Sequence, residues 1–188
     1  MQKINNWKEC YKDTNMEIVI NFLNSIGIKC HIVENVKNSF LKAILIKDGE
    51  LYLTKKCNIS DILHEAGHLA ILPPLYRKQA NGDLKVLLKK MYKEIDTTLP
   101  ENEKYMYCED NEATAWAFSC GTYLKLPHSQ IILKKEYQNT GKDVLFRLRH
   151  NSHFGIHGLA RAGWCSVKKI HTTVDKPLYP NLNKWLQI

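Results

Sequence analysis

The sequence predicts an α+β domain: a small, mostly antiparallel three-stranded sheet, then a histidine-bearing helix and further packed helices. Three observations lead there. The stretch "FLKAILIKDGELYLTKKC" alternates apolar and polar residues on both sides of Asp48-Gly49, the period and turn chemistry of a β-hairpin. "IKCHIVEN", just before it, reads as a third short strand. The segment "DILHEAGHLAIL", residues 61–72, then switches to helical spacing, and helical patterns dominate the rest of the chain.

Taken in order, residues 15–26 place Met16, Ile18, Val19, Phe22, Leu23 and Ile26 in a helical stripe that Gly27 can close. After the hairpin, Asn58 or Ser60 is available to cap the helix over 61–72, and Pro73-Pro74 stops it because neither proline can donate a backbone hydrogen bond. "YRKQANGD" reads as loop. A helix is expected over 83–95, with Leu84, Leu87, Leu88 and Met91 on one side. "CEDNEATAWAFSCGTYL" predicts another over 108–124, with its internal Gly121 a weak point near the end. Residues 127–188 divide less cleanly, into short helices with room for a late strand. With no repeat and no shift in composition, the whole of 1–188 is expected to form one domain.

Bulk properties narrow the function. No apolar run approaches the eighteen or so residues of a membrane span, and the start "MQKINNWKECYKD" is too polar for a signal-peptide core, so a cytoplasmic, non-membrane protein is expected. The six cysteines are far apart and form no C-x-x-C pair, which favours scattered thiols over a disulfide frame. Net charge is +8, but the lysines lie in dispersed pairs such as Lys55-Lys56 and Lys89-Lys90. That pattern suits solvated faces, and it leaves direct nucleic-acid binding open.

Within "DILHEAGHLAIL", His64 and His68 are four residues apart and so share one helix face, where two ring nitrogens can meet one tetrahedral ion. Glu65 sits one position round, placed to take a proton from water activated by that ion. This is the H-E-x-x-H arrangement of zinc hydrolases. Ala66 and Gly67 are small and permit another element to pack closely. A catalytic Zn2+ needs a third protein ligand, and "CEDNEATAWA" offers three carboxylates. Glu112, which directly precedes the alanine-rich stretch, is the first choice. Asp110, Glu109 and a late histidine are alternatives, and Glu109 is also suited to orienting a histidine from outside. Acidic residues there also have a simpler explanation, since they favour a helix N-terminus.

The combination of "ILHEAGHLA" with the later "NEATAWAFS" resembles the ImmA/IrrE family of zinc metallopeptidases, over roughly residues 41–126. The resemblance implies a zincin-like fold with metal ligands His64, His68 and Glu112 and catalytic Glu65. It further implies a protein substrate, with a co-encoded DNA-binding repressor or antitoxin as the first candidate. The chain departs from the family in the longer "WAFSCGTYLKLP" and in the wide separation of His68 from Glu112. Among the histidines of the C-terminal third, His128, His150, His153, His157 and His171, the pair His153 and His157 is the most suggestive supplier of a donor to a transition-state oxyanion, with Tyr123 another candidate. A competing expectation is a zinc-containing interaction module in a regulatory or toxin-antitoxin pair that performs no turnover. Trp185 and Leu186 are expected to anchor the chain end.

Overall fold

A computed structural model describes residues 3–36, 43–96, 98–168 and 176–188, with side chains from residue 14 onward. The elements run α1 (Lys3–Ser25), β1 (Cys30–Ile32), β2 (Ile44–Lys47), β3 (Glu50–Leu53), α2 (Ile59–Ile71), α3 (Pro74–Arg77) and α4 (Lys85–Glu94). A 3-10 turn (Pro100–Met106) leads to α5 (Asp110–Tyr123), followed by α6 (His128–Ile131), α7 (Glu136–Asn139), α8 (Gly141–Arg149) and α9 (Phe154–Arg161). The architecture is α+β, as the sequence predicts. His171 lies outside the described residues.

The hairpin forms where the turn chemistry places it. Asp48 and Gly49 adopt φ of 52° and 75°, the doubly left-handed turn whose twist matches two antiparallel strands. Register runs from Ile44 opposite Leu53 to Lys47 opposite Glu50. Ile44, Ile46, Leu51 and Leu53 are thereby turned to the core, and Leu45 and Tyr52 to the other face.

The sheet itself corrects an expectation. It is mixed rather than mostly antiparallel: its order is β1-β3-β2, with β1 parallel to β3. The chain enters the far edge at β2 before the hairpin returns β3 to the centre, so β1 and β3 run the same way. Alternation along a strand reports which face is buried and says nothing about which neighbour it pairs with.

α1 starts well before residue 15, and Ile18, assigned to its apolar stripe, is 40% exposed while Met16, Val19 and Leu23 are buried. "YRKQANGD" includes the end of the short helix α3. Of the late strand, the described residues show an isolated bridge between Ser166 and Leu178, and residues 169–175 lie outside them.

α2 lies at the centre of the core, with Ile62, Leu63, Ala66, Leu69 and Ala70 fully buried. It packs closely on α5 because Gly67 has no side chain: a Cβ there would sit 2.5 Å from the Ala113 carbonyl oxygen. α9 approaches the start of α5 on its other side by the same means. A Cβ on Gly155 would overlap the Asn111 carbonyl, and one on Gly158 would overlap the Glu112 carboxylate. The chain end is anchored as expected. Trp185 packs edge-on against Phe22 and Trp116, and Gln187 donates its amide to the Ala70 carbonyl at 2.8 Å.

Candidate metal centre

The two histidines come together as their spacing requires. Their rings are 4.8 Å apart and perpendicular on the α5-facing side of α2. The carboxylate that joins them is Asp110, in the first turn of α5. Its Oδ1 lies 3.1 Å from His68 Nε2 and 3.8 Å from His64 Nε2. The three donor atoms all fall within 4.8 Å of one another.

Glu112 is elsewhere. On a helix, two positions are about 200° apart, so when Asp110 faces α2, Glu112 must face away. Its Oε2 accepts the Glu109 backbone amide at 3.3 Å, one half of a reciprocal capping box in which the Glu109 side chain bonds the Glu112 backbone. The rest of the Glu112 carboxylate is packed against Gly158. Glu109 is thus occupied as the N-cap.

The donor set could hold a metal ion. Metal–ligand bonds of roughly 2.0–2.1 Å put neighbouring ligand atoms about 3.3 Å apart, close to the 3.1 Å and 3.8 Å observed here. Two imidazoles and one carboxylate also match the three-ligand composition of catalytic zinc sites. The Asp110 side chain is 83% exposed whereas that of His68 is 9% exposed, so the cluster has a buried floor and an open mouth.

The outer contacts are unequal. His64 Nδ1 lies 3.3 Å from Thr114 Oγ1, whose hydroxyl donates to the Asp110 carbonyl at 2.8 Å and lies 3.2 Å from the Tyr137 hydroxyl. His68 Nδ1 is buried and has no hydrogen-bond partner among the described residues.

The charges interact strongly. Burial draws the His64 imidazolium pKa down, but the hydrogen bond to Asp110 and the nearby Glu65, Asp110 and Glu136 carboxylates outweigh it and hold it above its ordinary value. The two histidines hold the Asp110 carboxyl far below the usual carboxylate range. Burial pushes Glu65 up, against the pull of His68 and His64.

Tyr137 is brought to the site by an unusual backbone. Tyr137, Gln138 and Asn139 are consecutive left-handed residues, with φ of 53°, 58° and 69°. Such conformations cost about 1 kcal/mol or more each without glycine, and they persist where surrounding contacts fix them. Here the Glu136 carboxylate accepts Ser60 Oγ of α2 at 2.5 Å and the Leu133 amide at 2.8 Å. Thr140 closes the turn, its hydroxyl donating to the Tyr137 carbonyl at 2.6 Å.

Sequence reasoning missed Thr114, Tyr137 and Glu136. The i, i+4 spacing of Asp110 and Thr114 was the available signal for the first, because it puts both on the face that meets α2. No local pattern announces the left-handed turn. His153 belongs to the cap of α9, where Nδ1 accepts the Gly155 amide at 3.2 Å. Tyr123 lines a separate hollow of about 180 Å³ with Ser119, Pro180 and Trp185.

No family model, curated protein or solved structure matches the chain.

Proposed function

We propose that the protein is a zinc-dependent metallopeptidase whose ion is held by His64, His68 and Asp110, with Glu65 as general base. One observation carries the proposal: the convergence of His64 Nε2, His68 Nε2 and Asp110 Oδ1 at an open mouth, with Glu65 on the same helix. The resemblance of "ILHEAGHLA" to the ImmA/IrrE peptidases supports the same reaction class. Asp110 replaces Glu112 in the ligand set because the Glu112 carboxylate is engaged in the cap of α5.

When bound, the ion supplies electrophilic polarisation of a carbonyl and lowers the pKa of water. Glu65 takes a proton from the attacking water and passes it to the departing amine. An extended peptide is the proposed substrate, with a co-encoded repressor or antitoxin the first to try. The outer edge of β2 can bind such a peptide through main-chain hydrogen bonds that ask little of its sequence. Gly82 already donates to the Ile46 carbonyl at 2.9 Å, which confines peptide pairing to the Ile44 end of that strand. Among the described residues, no helix is long and apolar enough to cross a membrane.

Glu65→Gln tests the chemistry. The amide keeps the shape but cannot accept the proton, so zinc content and fold should persist while cleavage of a neighbouring regulator falls by at least about 100-fold, the scale of general-base catalysis. Cleavage at the wild-type rate removes Glu65 from this role. Tight binding of a regulator by the wild-type protein without any cleavage favours the interaction module instead.

A further inference from the structure

We propose that Thr114 is a positioning residue that holds His64 in the tautomer needed to ligate metal, and that Tyr137 locks Thr114 in this task. The proposal rests on the metal site described above, and it comes from counting protons. A threonine hydroxyl has one hydrogen to give and two lone pairs with which to accept. The Thr114 hydrogen is given to the Asp110 carbonyl at 2.8 Å. Both remaining neighbours of Oγ1, His64 Nδ1 at 3.3 Å and the Tyr137 hydroxyl at 3.2 Å, must therefore donate to it. A proton on Nδ1 leaves the lone pair of His64 on Nε2, the atom that faces Asp110 and His68.

Thr114 is well placed to enforce this. It is 1% exposed, so water cannot readily replace a partner it loses. One turn of α5 separates it from Asp110, so the same helix supplies one ligand directly and orients another through Thr114. Tyr137 fills the second lone pair of Oγ1 and thereby directs the Thr114 hydrogen toward the Asp110 carbonyl. The left-handed turn that delivers Tyr137 is tied by Glu136 to Ser60, one helical turn before His64 on α2. The strained backbone thus has a definite product: a second hydroxyl-bearing group, beside Thr114, at the outer side of the histidine.

Zinc competition titrations and the His64 Nδ1–H resonance of the zinc-loaded protein test the assignment together. Wild type should show a slowly exchanging Nδ1–H signal. Thr114→Val, which keeps the shape and removes the hydroxyl, should lose that protection and weaken zinc binding roughly 10- to 100-fold, as loss of an outer-shell partner does. Thr114→Ser should restore both, and Tyr137→Phe should give a smaller loss because Oγ1 still accepts from His64. A folded Thr114→Val variant with wild-type zinc affinity overturns the proposal and leaves the metal site standing. An unprotected Nδ1–H in the wild type overturns it even if Thr114→Val fails to fold. Weaker binding by Tyr137→Phe than by Thr114→Val also overturns it, since Tyr137 would then act on the metal directly. Wild-type protein that binds no zinc removes the metal site and this proposal with it.

Discussion

His153 caps α9 by accepting the Gly155 amide through Nδ1, and it can do so only while that nitrogen is unprotonated. Burial, assisted by Arg147, pulls its pKa down from 6.5 to about 4. Because the folded pKa lies below the unfolded one, the unfolded chain binds the proton more readily. Stability is therefore fully present above pH 6.5 and is lost as pH falls toward 4, with a ceiling on the order of 3 kcal/mol. His153→Asn keeps a capping acceptor that does not titrate. Urea unfolding of metal-free protein at pH 7 and 4.5 should show a smaller acid loss for the variant than for wild type; equal losses would contradict this account. Among the residues of the candidate metal site, His64 and His68 were legible in the sequence because i, i+4 spacing fixes their common face. The choice among Glu109, Asp110 and Glu112 was not, because all three suit a helix N-terminus and only the position of α2 decides which one faces the histidines.

Between elements, the α2–α5 contact at Gly67 is close enough to leave no room for a side chain. Alanine is favoured over glycine within a helix by about 1 kcal/mol, so an unhindered Gly67→Ala change would stabilise the protein. Here the new Cβ would meet a backbone oxygen at 2.5 Å, and backbone cannot swing aside as a side chain can. We expect net destabilisation of about 1–3 kcal/mol in chemical denaturation, with weaker zinc binding because α2 and α5 carry the proposed ligands from opposite sides. A variant as stable as wild type would mean the helices are not so close. Small residues at 66 and 67 signalled this contact in the sequence, as Asp48-Gly49 signalled the hairpin. The parallel pairing of β1 with β3 and the left-handed Tyr137 turn had no such local mark. Both depend on contacts between segments distant in the chain, including Ser60 with Glu136.

Across the whole molecule, the segment after residue 127 is part of the same core as the histidine helix. Leu159, Trp164 and Tyr179 are buried in it, and the Tyr179 hydroxyl donates to the Ala115 carbonyl of α5 at 3.0 Å. α9 closes the back of α5 against the Glu112 carboxylate, on the face turned away from His64 and His68. On the proposed reading the fold leaves Asp110 as the third ligand, and zinc binding compared across three proteins tests it most directly. Competition titration should give one Zn2+ for wild type and for Glu112→Gln, with similar affinity. Asp110→Ala should bind more weakly than the roughly 10- to 100-fold loss typical of outer-shell changes, because it removes a ligand itself. Wild-type affinity in Asp110→Ala, or loss of zinc from a folded Glu112→Gln, would contradict the account.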